Sequence, residues 1–151
     1  MYIEERINQL GYYLPDVAIP VGSYLNCVRT GNLLHISGGL PFSAEEKVQG
    51  VVPTVCSVAK AQRGAKIVIL NRLAVARAEL GSLDYVSRVV SMTGLVNCTK
   101  DFYDHPLVMN AASNLLVDIF GERGKHARLI SGVTSLPMNA AVEISLVLEI
   151  A

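Results

Sequence analysis

The sequence has no tryptophan, only three phenylalanines and no run of lysine or arginine, and its 13 basic and 13 acidic residues cancel over 151 positions. Duplex nucleic acids and anionic membranes are bound through a concentrated positive field, which this composition lacks. Long apolar runs are missing as well. The two longest uncharged stretches, Thr30 to Ala44 and Leu129 to Val142, are each broken by Gly and Pro. Both fall short of the roughly 20 residues that a spanning helix needs. The opening MYIEERINQL carries acidic residues and no apolar core of a secretory signal. These absences predict a cytoplasmic protein with neither a nucleic acid nor a membrane as partner.

Cysteine is equally sparse. Cys27, Cys56 and Cys98 are odd in number, far apart and in no CxxC pair, which fits small buried hydrophobes in a reducing compartment. His35, His105 and His126 are scattered, and no His, Cys or carboxylate group has metal-ligand spacing, so no metal or other cofactor is expected. Nucleophilic catalysis by Cys27 or Cys98 is not expected either. Neither reads as lying beside a cation, a histidine or a helix start that would lower a thiol pKa. The segment from Gly121 to His126 resembles the end of a phosphate loop, but Ile119 stands where that loop requires Gly and His126 where it requires Ser or Thr. GxGxxG, GxSxG and HExxH are absent.

What the chain does have is apolar residues: 51% are hydrophobic and 17% charged, with a mean hydropathy of +0.39. So much apolar surface on a single domain, 1–151, calls for cover, and identical subunits are one way to provide it. Ile3, Ile7 and Leu10, followed by Gly11, predict a short opening helix. Tyr24 to Arg29 and Leu33 to Ser37, flanking Thr30-Gly31-Asn32, predict a hairpin. Ser57 to Leu80 predicts a long helix closed by Gly81, with Ile69, Leu73 and Leu80 buried and Arg63, Lys66 and Arg77 in solvent. Val86 to Val96 predicts a strand with Val86, Val90, Met92 and Val96 on one face. A second long helix follows, with Asp104 as N-cap, Pro106 in its first turn and Gly121 as its stop.

The last third is the most regular. Arg128 to Val133 reads as a strand and Ser135 to Asn139 as a turn. In the final strand, Val142, Ile144, Leu146, Leu148 and Ile150 alternate with Glu143, Ser145, Val147 and Glu149. The expected class is α+β, one mixed sheet packed on two helices with an extra short N-terminal helix. The second sheet face, holding Val147 and Ile130 among polar groups, predicts an interface. Arg128 on that less apolar face has the chemistry for a planar, bidentate carboxylate contact. An ion pair, with Glu143 on the next strand as a candidate partner, is the plain structural alternative.

The segments His126-Ala127-Arg128, Leu136-Pro137 and Ala141-Val142-Glu143-Ile144 together resemble the C-terminal signature of the YjgF/RidA family of enamine/imine deaminases. Upstream, Pro20-Val21-Gly22-Ser23-Tyr24, Thr30-Gly31-Asn32-Leu33-Leu34 and Ser37-Gly38-Gly39-Leu40-Pro41 resemble further family segments in the same order. Gly39 stands where the family usually has Gln, His126 where it has Pro, and Ile130 where many members have Cys. The resemblance implies a chorismate-mutase-like fold and a homotrimer whose sheets form a central barrel, with clefts between subunits. It implies that Arg128 holds a substrate carboxylate, that Glu143 serves the attacking water, and that Tyr24, Gly38, Gly39 and Ile130 line the substrate site. The implied reaction is hydrolysis of a small 2-imino acid to a 2-keto acid and ammonia. A non-catalytic carboxylate-binding or regulatory protein is the alternative reading, and RNA cleavage ranks last because the net charge is zero.

Overall fold

The structure, a computed structural model, describes residues 2–151. A short helix α1 (Ile3–Gln9) precedes an irregular segment, the hairpin β1 (Cys27–Thr30) and β2 (Leu33–Gly39), and the long helix α2 (Val58–Leu80). Then come β3 (Val86–Asn97), α3 (His105–Phe120), β4 (Ala127–Val133) and β5 (Val142–Ile150). Their bounds fall where the local chemistry puts them. Ser57 caps α2 by accepting a hydrogen bond from the Lys60 amide at 3.2 Å, and Gly81, in the left-handed region at φ 84°, ends it. Asp104 is the N-cap of α3 as expected, but its side chain makes no cap bond; its carbonyl instead accepts from the Leu107 amide at 3.0 Å.

One sheet holds all five strands in the order β1-β2-β5-β3-β4. Only β3 and β4 run parallel, joined by α3 as the crossover; the other pairs are antiparallel. Residues 142, 144, 146, 148 and 150 of β5 are buried against the helix layer, and the intervening residues face the other way. From α2 and α3, Val68, Ile69, Leu73, Met109, Ala112 and Leu116 complete this core. The predicted sandwich of one mixed sheet on two helices, with a small helix at the N-terminus, is the architecture present. No helix among the described residues is long and apolar enough to cross a membrane.

Three local expectations need correction. First, β3 is inserted between β4 and β5, so Glu143 is not on the strand next to Arg128 and no ion pair joins them. Second, the register Arg128–Met92–Leu146 puts Arg128 on the helix-facing side at the open edge of β4. Ile130 lies on that same side, partly buried against the core, and not on the second sheet face. Third, two register shifts in β3 turn Val89 into the core and leave Val90 partly exposed, because each extra residue reverses the alternation. The second face has mixed character, with Val28 53% and Leu129 62% exposed beside His35 and Thr93.

Leu148 has no exposed surface at the centre of this arrangement. Leu148→Ala is expected to lower the free energy of unfolding by about 2–5 kcal/mol. Urea titration at fixed protein concentration measures it.

Candidate functional site

The sequence-predicted residues fall into two groups on different strands of the sheet. Tyr24, Gly38, Gly39 and Glu143 gather about β2 and β5, whereas Arg128 and Ile130 share the helix-facing side of β4. Within one chain they do not converge.

At the β2 end, a register shift between Ile36 and Gly39 bends the strand, and its two glycines leave room on both sides. A Cβ on Gly38 would lie 2.7 Å from Oε2 of Glu143. A Cβ on Gly39 would occupy the position of the Arg72 guanidinium, 2.8 Å from its Cζ. Ser37 fastens this bend to the preceding segment: its amide donates to the Asn26 carbonyl at 2.8 Å and its hydroxyl to the Leu25 carbonyl at 2.6 Å. Those bonds hold Tyr24, half exposed, beside the glycines. Together they line one end of an open groove of about 920 Å³, whose walls include Tyr12, Leu14, Phe42 and Leu70.

Arg72 is the residue that the sequence reading missed. It projects from α2, is only 7% exposed, and donates through Nη1 to the Ser37 carbonyl at 2.9 Å. Its Nε has no partner. Its own burial pulls the guanidinium pKa down, while Tyr24, Cys27 and Glu143 oppose that shift. Even lowered, an arginine remains charged at neutral pH. Burial pushes the Glu143 carboxyl above its ordinary value, with Arg72 acting against the rise.

At the β4 end, Arg128 is exposed yet tethered. Its Nη1 donates to Oδ1 of Asn110 at 2.9 Å and to the Ser113 hydroxyl at 3.2 Å, both on α3. The ring of His126 lies 2.6 Å, through Nδ1, from the Gly124 carbonyl, and 3.0 Å, through Nε2, from the Ser113 hydroxyl. A carbonyl can only accept, so Nδ1 carries the hydrogen there. In the neutral ring Nε2 then accepts from Ser113, whose oxygen accepts from Arg128. His126, in the family's Pro position, therefore closes a directed chain onto the guanidinium. Arg128 makes no ion pair; among the described residues the ion pairs are Arg63 with Glu46 and Lys125 with Glu122.

One expectation about cysteine is overturned. The turn after β3 brings His105 back onto Cys98, with Nε2 3.4 Å from Sγ, although neither was expected near the other. Burial still pushes the Cys98 thiol up, and the Phe102 ring packs edge-on against His105, 5.5 Å between centroids. No group of three or more His, Cys, Asp or Glu side chains among the described residues has the geometry to hold a metal ion.

The profile of the family described as "YjgF/chorismate_mutase-like, putative endoribonuclease" matches residues 4–150. The chain belongs to this YjgF family. Its fold is accordingly chorismate-mutase-like. It is similar to the protein TCP17 of Trypanosoma cruzi, 35% identical over 98% of this chain and 94% of that one. The crystal structure of Atu1372 from Agrobacterium tumefaciens, a protein whose function is given as unknown, superposes with a TM-score of 0.92. It is 41% identical, over 99% of this chain and 92% of that one. RidA from the Antarctic bacterium Psychrobacter sp. PAMC 21119 superposes with a TM-score of 0.64 at 28% identity, over 89% and 94% of the two chains.

The raised carboxyl of Glu143 has a pH signature. A native state that holds the proton more tightly than the unfolded chain contributes stability that is complete below the ordinary carboxyl value. It is lost as pH rises through the native value. Glu143→Gln is therefore expected to match the parent near pH 3 and exceed it at pH 7. Denaturant melts at the two pH values check this.

Proposed function

We propose that this YjgF-family protein hydrolyses small 2-imino acids, such as the imine tautomer of 2-aminoacrylate, to 2-keto acids and ammonia. The observation that carries the reading is Arg128: an exposed guanidinium held in orientation by Asn110 and Ser113, which are neutral and leave its charge uncompensated. The charge fits a substrate carboxylate in a charge-assisted, bidentate contact. The likeness to a protein named RidA and the order of the sequence signature lend the same support.

On this reading the cleft belongs to an assembly, because the two groups of site residues stand apart within one chain. Arg128 and Glu143 lie on opposite faces of the sheet with β3 between them. A site using both takes Arg128 from one copy and Glu143, Tyr24 and the Gly38-Gly39 backbone from the next. The family resemblance implies a homotrimer with the sheets as a central barrel, and such packing would cover Val28 and Leu129.

Water adds to C2 of the bound imine, protonated on nitrogen, while the Glu143 carboxylate takes one of the water's protons. The resulting carbinolamine has a hydroxyl and an amino group on C2. Glu143 returns its proton to that nitrogen; as the C–N bond breaks, ammonia leaves and the hydroxyl gives its proton to the Glu143 carboxylate, leaving the 2-keto acid. The imine is already an electrophile, so orientation and one placed base suffice. Backbone groups at Gly38 and Gly39 hold the nitrogen end, and Ile130, two residues from Arg128 on the same side of β4, forms an apolar wall. The three cysteines are free thiols, which fits action in the reducing cytoplasm.

Formation of 2-keto acid from dehydratase-generated 2-aminoacrylate is expected to accelerate in the presence of the protein. Arg128→Ala should lower kcat/KM by about 10²-fold or more. Equal acceleration by that variant refutes the assignment. Stabilisation of the fold by pyruvate without turnover would instead indicate a carboxylate-binding protein.

The shared cleft is tested by mixing. Arg128→Ala and Glu143→Gln chains, each inactive alone, are refolded together in equal amounts. Random assembly leaves about a quarter of the clefts with both native groups. Recovery of roughly that share of activity is expected; no recovery argues for one-chain sites.

A further inference from the structure

Arg72 has an environment that a merely structural arginine does not need. It is nine-tenths buried, and among the described residues its Nε lacks any partner and it forms no ion pair. Its one hydrogen bond among those residues goes from Nη1 to the Ser37 carbonyl. An isolated buried charge is disfavoured by several kcal/mol unless something compensates it. The groups about Arg72 that can carry negative charge are Glu143 from β5, Tyr24 from the segment before β1, and Cys27 from β1. Burial and Glu79 on α2 both raise the Cys27 thiol, so Cys27 stays neutral, and of the other two only Glu143 is a carboxylic acid. Glu143 remains. Arg72 in turn opposes the rise that burial causes in the Glu143 carboxyl.

The path between them runs through the backbone of β2. Consecutive residues of a strand point to opposite faces, and residues 38 and 39 are both glycine. The carboxylate of Glu143 takes the space of a side chain at 38, and the guanidinium of Arg72 takes the space of one at 39. Two charges of opposite sign thus close on one stretch of bare backbone from its two sides. The arrangement also accounts for Gly39 standing where the resemblance leads one to expect Gln: any Cβ there would collide with Arg72.

We propose that Arg72 is a positioning residue, its guanidinium holding the Glu143 carboxylate charged and aimed at the cleft across the window formed by Gly38 and Gly39. This rests on the reading of Glu143 as the group that serves the attacking water. Arg72 itself touches no substrate. It acts by offsetting the desolvation that Glu143 incurs, so that the carboxylate can accept a proton from water at neutral pH.

Two measurements test it. In the native protein, the 15N and 1H resonances of the Arg72 Nε–H are followed against pH beside the 13C carboxyl resonance of Glu143, assigned by its loss in Glu143→Gln. Both are expected to move with one midpoint, and the Arg72 movement should vanish in Glu143→Gln. An Arg72 resonance indifferent to the Glu143 titration overturns the proposal, and this holds whether or not any Arg72 variant folds. Second, Arg72→Met should shift the acidic limb of the kcat/KM profile upward by about one pH unit, a tenfold loss of rate on that limb. Arg72→Lys should restore much of it. A uniform fall in rate with an unmoved limb, or no rescue by Lys, marks a packing role only. Absence of turnover in the native protein would reject the deaminase reading and leave the resonance experiment to decide the Arg72 to Glu143 coupling.

Discussion

Burial of Val142, Ile144, Leu146, Leu148 and Ile150 against α2 and α3 fixes which way β5 faces, and every other placement follows from it. With those five side chains inside, Glu143 has to lie on the open face. A shift of one residue would exchange the two faces entirely, so the hydrophobic alternation is also what positions the carboxylate. The pairing of β5 with β2 sets Gly38 and Gly39 beside Glu143, and its pairing with β3 carries the register outward to Arg128 on β4. The core and the candidate site are thus two faces of one strand.

Where the sequence was informative, the information was local. Alternation in β5, the Gly81 stop of α2, and the Thr30-Gly31-Asn32 turn are each decided within a few residues, and each is where the pattern put it. Strand order is not local. Nothing in the pattern from Arg128 to Ile150 says that β3 inserts between the last two strands, so Glu143 was assigned to the wrong neighbour and Arg128 to the wrong face. The register shifts in β3 escaped for a related reason, since one extra residue inside a run of valines and serines leaves no compositional mark. Cys98 and His105 meet through a turn that only the folded chain reveals.

Arg72 escaped because α2 is rich in cations and an arginine among them reads as solvated. A signal was nevertheless present. Arg72 follows Val68 by four positions and Ile69 by three, and precedes Ala76 by four, all of them buried, so it stands on the inward stripe of its own helix. A cation on that stripe, set against a Gly-Gly pair in an otherwise bulky hairpin, is a pairing that sequence inspection can look for.

Positions 39 and 72 accordingly behave as a single choice made twice along the chain. A side chain at 39 requires a smaller or withdrawn residue at 72, and an arginine at 72 requires that 39 stay bare. Among relatives sharing this sheet, the two positions should change together, and chimaeras that exchange only the hairpin or only the long helix inherit a steric conflict in the one case and a void in the other.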